Sequence, residues 1–287
     1  MYSVMRNFLF IFLLSGLIAC KERSKQPVIG GGYGKGEMVD GKREGKWAFY
    51  TEEDQLESEG NFKNDLATGK WIFYYDNDSI EEISDWTDGL VNGPVFKYYR
   101  NGNLEYEGAF ERDRRTGDWV FYNEDGTLDA KGNYISNRKN GKWEFWYPSG
   151  EKKAINMFTD SIPNGEIIEW YESGTIKTEG YYSKGKQHRL WKHYYENGNP
   201  QQISKWNYGK LDSVSTTFWE NGQKKYEGNY LYGKENGKII NWYENGQLKI
   251  TGYYINGKED GEFIYYNQDG SVDMKITYKN GKQVEQE

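Results

Sequence analysis

The side chains of this sequence best suited to chemistry are few: two histidines, one cysteine and a scatter of carboxylates. His188 and His193 stand five positions apart in a strand-turn pattern, which places them on opposite faces of a strand. With the single cysteine at position 20, no Cys/His set has zinc-ligand spacing. Carboxylates are plentiful, Glu52-Glu53-Asp54 and Glu81-Glu82 among them, and most fall at predicted hairpin tips, where solvated turn residues are expected. A general acid and base need a cleft that drives their pKa values apart, and an open sheet provides none. Gly30-Gly31-Gly32-Tyr33-Gly34 has no predicted strand before it and no helix after it, which argues against a phosphate loop. Arg112-Asp113-Arg114-Arg115 reads as a solvated basic turn. The expectation is a protein that is not an enzyme, with no catalytic residues, no metal and no cofactor.

The elements that would position these residues follow from composition. The chain has 287 residues, 17% aromatic, with 26 tyrosines and 35 glycines but only 5 prolines. Disordered chains are poor in aromatics, so the low mean hydropathy of −0.99 does not signal disorder. Tyr, Trp and Gly at this density indicate strands joined by tight turns. A formal charge of −7 argues against nucleic acid as a partner.

At the N-terminus, Arg6 precedes the apolar run Phe8 to Leu14, a signal-peptide pattern too short for a spanning helix. Leu17-Ile18-Ala19-Cys20 resembles the lipobox of bacterial lipoproteins. That resemblance implies cleavage after residue 19 and lipidation of Cys20. The membrane would then be met through the lipid anchor alone. Lys21-Glu22 carries no inner-membrane-retaining Asp, so the expected location is the bacterial cell envelope at the outer membrane. The domain reading is a signal peptide over 1–19, a lipidated flexible tether over 20–35 and a repeat array over 36–287.

Within the array, repeats of 24 residues begin at 45, 69, 93, 117, 141, 165, 189, 213, 237 and 261 with no insertion or deletion. The sixth position is always aromatic: Tyr50, Tyr74, Tyr98, Tyr122, Trp146, Trp170, Tyr194, Phe218, Trp242 and Tyr266. So is the eighteenth, from Phe62 to Tyr278. An aromatic column in every repeat points to a structural role, since a ligand site occupies only a few repeats. The tenth position is Gly in eight repeats and Asp54 or Asp78 in the other two, all residues suited to positive φ. Each repeat therefore reads as two strands and two turns. Pairing the third position with the sixteenth sets Trp47, Trp71, Trp119 and Trp143 against Gly60, Ser84, Gly132 and Asn156, where a large ring covers a small residue. The same register sets the eighteenth position against the first. The predicted fold is all-β: an elongated single antiparallel β-meander of about ten 24-residue hairpins, about 100 Å long at roughly 4.8 Å per strand.

The pattern Gly-Lys-Trp-x-Phe-Tyr, then Glu-Asn-Gly-Gln-Leu-Lys, then Glu-Gly-x-Tyr-x-x-Gly-Lys resembles the MORN-repeat variant family, most clearly from Tyr226 through Gly246. The resemblance covers residues 36 to about 284 and implies extended antiparallel sheets. Many bacterial proteins with these repeats bear the name YwqK-like antitoxin, which implies neutralising a toxin partner; some MORN proteins are credited with phospholipid binding.

The pattern lapses at the seventh and eighth repeats, where Arg189 and Ser213 replace the opening Gly, and Ser215 and Thr217 replace apolar residues. His188, His193, Ser213, Ser215 and Thr217 thus define a candidate binding window, open to two readings: a docking face or drift of the repeat. The leading functional expectation is a lipid-anchored scaffold for an envelope protein partner. The second is a carbohydrate-binding module using exposed aromatics, and the third an antitoxin.

Overall fold

The computed structural model describes the backbone of residues 23–27 and, in full, residues 32–284. Cys20 and the leader lie outside these. The described residues are strands and turns with no helix, in two compact units that meet between Arg138 and Lys139. In each unit the strands are antiparallel and pair with their neighbours in chain order, as in the hairpin Lys42–Tyr50 and Leu56–Lys63. The segment read as a tether includes a strand, Arg23–Pro27, paired with Tyr33–Val39. Ordered pairing therefore begins before Gly36, and a strand does precede Gly30.

The predicted register holds in all ten repeats for the eighteenth position, which faces the first from Gly45–Phe62 to Gly261–Tyr278. Trp47, Trp71, Trp119 and Trp143 likewise face Gly60, Ser84, Gly132 and Asn156. The third position forms the core. Trp47, Trp71, Val95, Trp119, Trp143, Ile167, Trp191, Ser215, Ile239 and Phe263 are each at most 8% exposed. The sixth-position aromatics are only half-buried, on the opposite face. There Tyr74, Tyr122 and Tyr194 donate to Glu59, Glu107 and Glu179 at 3.2, 3.1 and 3.2 Å.

The ring that covers a sixteenth-position glycine comes from the following repeat at most junctions; Gly228, before Ile239, is covered instead by Tyr226 of its own repeat. A Cβ on Gly60 would meet the Trp71 ring at 2.2 Å; Gly36 stands likewise under Trp47, Gly108 under Trp119, Gly180 under Trp191 and Gly252 under Phe263. At two junctions where the following third residue is smaller, the sixteenth is larger. Ser84 precedes Val95 and Ser204 precedes Ser215, and both serines are buried. In those repeats the eighteenth residue is Trp, and the Trp86 and Trp206 indoles donate to Ser84 and Ser204 at 3.0 and 2.9 Å. The packed face thus conserves volume across these two junctions. Cations close it at the turn end: Arg43 lies 3.8 Å from the Phe62 ring centre, Arg115 4.6 Å from Trp119 and Lys139 4.2 Å from Trp143.

Two further devices join consecutive repeats. The seventh-position tyrosines Tyr75, Tyr99, Tyr147, Tyr171, Tyr195 and Tyr243 donate to the carbonyl 23 residues on, at 2.7–3.0 Å. Asn101, Asn197 and Asn221 do the same one turn away, at 2.8–3.0 Å. The tenth position has positive φ throughout, including Asp54 at 65° and Asp78 at 62°. The second turn has two residues of positive φ, as at Asn64 and Asp65, the geometry that matches strand twist.

Trp119→Ala is expected to cost about 3–5 kcal/mol, and Tyr122→Ala, at a half-buried ring, clearly less. Gly60→Ala should cost about 1–3 kcal/mol by forcing the Trp71 ring aside. Urea unfolding followed by circular dichroism tests this order; a larger loss from Tyr122→Ala than from Trp119→Ala would reject the third column as the core.

Candidate functional site

The packed face carries two kinds of row at the level of the fifth and fourteenth positions. In the first unit this row runs Phe49, Ser58, Phe73, Glu82, Lys97, Tyr106, Phe121, with aromatics at four of seven places. In the second unit it runs Glu169, Thr178, His193, Gln202, Thr217, Tyr226, Asn241, and every side chain is polar or carries a hydroxyl. Seven consecutive strands, from Ile162–Trp170 to Lys234–Trp242, contribute one residue each. Ala154 and Ile250 bound the row.

Within it, Thr178 Oγ1 lies 3.3 Å from His193 Nδ1, and Gln202 Nε2 donates to Ser215 Oγ at 3.4 Å. The Tyr226 hydroxyl donates to Glu235 at 2.7 Å and lies 3.0 Å from the Tyr230 hydroxyl. Burial, then these hydrogen bonds, push the Tyr226 phenol far above its ordinary range, so it stays protonated and is held as a donor. Burial holds the His193 imidazole below its ordinary value of 6.5, opposed by the charge of Glu169. The ring is neutral at neutral pH and lies against the Trp191 indole, centroids 6.0 Å apart. Hydrogen-bond recognition is the chemistry available to this row. Among the described residues no group of three or more His, Cys, Asp or Glu is placed to hold a metal ion.

The structure divides the sequence-derived window. His193 and Thr217 flank Gln202 in the polar row. Ser215 lies one level deeper, 3% exposed, between Ser204 and Gly228. It is a core residue whose small size is matched by Ser204 and Trp206, so it presents nothing to a partner. Ser213 is exposed and His188 is on the other face, stacked on Tyr208 with centroids 4.5 Å apart. Arg189 and Ser213 occupy the opening glycine's place with φ of 66° and 94°, so the glycine geometry persists without the glycine. Glu169, Thr178, Gln202, Tyr226 and Asn241 escaped the sequence reading, although columns five and fourteen, read together, change from a mixture of aromatic, small and polar residues to an unbroken polar run between residues 169 and 241.

Nine segments match the MORN repeat variant family: 43–64, 91–111, 115–136, 139–160, 163–184, 188–208, 211–232, 235–256 and 259–280. The chain belongs to the MORN repeat variant family. MORN repeats generally mediate protein or membrane interactions. The repeat between residues 64 and 91, which has Asp78 in its first turn, is not matched. No curated protein sequence matches this MORN chain. Among solved structures, the TcdB2–TccC3 complex matches at 11% identity over 89% of this chain and 18% of that one, with a TM-score of 0.20. The TcdB2–TccC3–Cdc42 complex matches at 11% identity over 86% and 17%, with the same score. The chain therefore spans less than a fifth of those chains, and at that similarity neither bears on its fold or function.

Ser213→Gly is expected to raise stability by about 1 kcal/mol, because a non-glycine residue is strained at positive φ. A lowered urea midpoint would show that Ser213 makes a compensating contact. For His193, both folded and unfolded chains are neutral above pH 6.5, and the site then costs nothing. As pH falls below that value the unfolded chain takes up the proton first, so stability is lost on the acid side until the folded imidazole also protonates. His193→Gln should therefore shrink the fall in urea midpoint between about pH 7.5 and about pH 5. An unchanged fall would place the acid sensitivity elsewhere.

Proposed function

We propose that this MORN protein is a non-enzymatic scaffold, anchored through a lipid on Cys20 in the bacterial cell envelope, that docks a protein partner on the packed face of residues 139–287. The observation that carries this reading is the polar row from Glu169 to Asn241. In the first unit this level mixes Phe49, Phe73 and Phe121 with Ser58, Glu82 and Lys97, whereas from Glu169 to Asn241 no wholly apolar side chain interrupts the row. Half-buried polar groups cost desolvation unless they are satisfied. A row of seven is well suited to a partner that supplies complementary donors and acceptors, the usual polar content of a protein interface. The lipobox-like Leu17-Ile18-Ala19-Cys20 supports the anchor, and Lys21-Glu22 supports the outer membrane.

Crosslinking in intact cells, followed by affinity purification and mass spectrometry, tests the proposal. A protein partner recovered with the parent chain should be captured at least about tenfold less by the triple variant His193→Ala, Gln202→Ala, Thr217→Ala, roughly 1.4 kcal/mol. The variant's unfolding curve should stay cooperative. Equal capture by both would remove the row from the interface, and a toxin as partner would support the antitoxin reading. Cys20→Ser should move the protein from the membrane to the soluble fraction.

A further inference from the structure

The two ends of the hairpins in residues 139–287 differ in charge. At the first turns, Glu172, Glu196, Glu220 and Glu244 follow one another at 24-residue intervals, all exposed. At the second turns, Lys186, Lys210, Lys234, Lys258 and Lys282 do the same, also exposed. The strands between are nine and eight residues long, so the acidic and basic edges stand about 30 Å apart. A net charge of −7 conceals this separation.

The lysine edge has the properties of a prepared surface. Consecutive lysines are two strands apart, about 10 Å. The stems of Lys186, Lys210, Lys234 and Lys258 lie along the tip glycines of the next hairpin: a methyl placed on Gly209, Gly233, Gly257 or Gly281 would meet the lysine Cβ at 3.6–3.8 Å. Among the described residues, none of the five lysines joins an ion pair. The neighbouring acids are engaged or recessed. Glu235 and Glu259 accept from Tyr226 and Tyr254, Asp260 pairs with Lys279 at 3.1 Å, and Asp212 is half-buried.

Between these cations stand two rings in costly positions. Tyr208 and Tyr232 open their turns with φ of 47° and 52°, and are 55% and 70% exposed. In other hairpins the same place holds Asn64, Asp88, Asp160, Asn256 and Asn280, residues that accept left-handed backbone, and Arg112, Ser136 and Lys184, none of them a ring. A bulky side chain there is strained; Tyr208 has one face stacked on His188, whereas nothing in the packing accounts for Tyr232, 70% exposed.

We infer that the second-turn edge of residues 139–287 binds a linear acidic polysaccharide, its carboxylates spaced along the lysines and its sugar faces laid on Tyr208 and Tyr232. A stiff polymer with repeating charge suits a straight row of fixed pitch, and it pays less ordering entropy than an acidic peptide. An anionic lipid surface attracts lysines too, but it offers no fixed charge pitch and is held firmly only where apolar side chains insert beside them. Here the exposed Leu231 and Ile255 are separated by lysines. This edge is distinct from the polar row on the packed face, and its test does not depend on the protein partner.

The experiment is fluorescence anisotropy of the full chain with labelled oligogalacturonate, beside a neutral glucan of equal length and anionic phospholipid vesicles. Oligogalacturonate should bind and weaken with salt, while the neutral glucan should not bind. Lys210→Gln with Lys234→Gln should lower affinity about tenfold and flatten the salt dependence, by roughly 0.7–0.9 in logarithmic slope per lysine. Tyr232→Asn separates binding from folding: affinity should fall several-fold while the urea midpoint holds or rises. Three outcomes overturn the inference: no oligogalacturonate binding, binding indifferent to both variants, or binding to anionic vesicles in preference to the polymer.

Discussion

A ring laid over bare backbone is the contact on which this protein depends. The third residue of one repeat covers the sixteenth residue of the repeat before it, so closely that a methyl group on Gly60 would overlap the indole of Trp71. A single sheet has no second layer to bury its side chains, and it must make an interior from rings lying flat along its own surface. This explains how Trp47, Trp119 and Trp143 reach 0–1% exposure without a facing sheet. It also sets the limits on variation. Bulk removed at the third position returns at the sixteenth and eighteenth, as Ser84 and Trp86 do before Val95, and Ser204 and Trp206 before Ser215.

With volume settled at those positions, the neighbouring level is free to change character. The Phe residues at 49, 73 and 121 give way to Glu169, His193 and Thr217 without disturbing the register. The family fold thus separates two duties that share one face: a deep row that holds repeats together and a shallower row that can be polar. The turns are freer still, because their backbone is fixed by two residues of positive φ whatever their side chains.

Much of this was legible in the chain itself. The 24-residue period, the pairing of third with sixteenth and the positive φ at Asp54 and Asp78 follow from residue type and spacing. The sequence drew attention to the sixth column because it is aromatic in every repeat, whereas the core column admits Ser215, Val95 and Ile167 and so hides from a test of identity. The direction of the cover, from the following repeat back onto the glycine, depends on sheet twist and on the bulge beside each sixteenth residue, as between Glu59 and Asn61. The tyrosine links were invisible for a related reason: Tyr75 and the carbonyl of Tyr98 are 23 residues apart and become neighbours only once the hairpins are laid side by side. The polar row needed two columns read as one. The sequence-derived window overlaps it at His193 and Thr217, while Ser215 lies in the core, because a buried serine and an exposed one look alike in sequence.

The tyrosine hydroxyls also give the array a direction. The seventh-position hydroxyls point from their own repeat to the next, while the third-position rings over Gly60, Gly108, Gly180 and Gly252, and the sixth-position hydroxyls of Tyr74, Tyr122 and Tyr194, reach to the repeat before. A repeat therefore has a head and a tail with different needs: one side offers a hydroxyl and a bare glycine, the other a carbonyl and a ring. Two such arrays cannot be joined head to head by these contacts, and a duplicated repeat fits only in the orientation of its parent. Lengthening by tandem copying is built into the chemistry of the junction, and inversion is excluded by it.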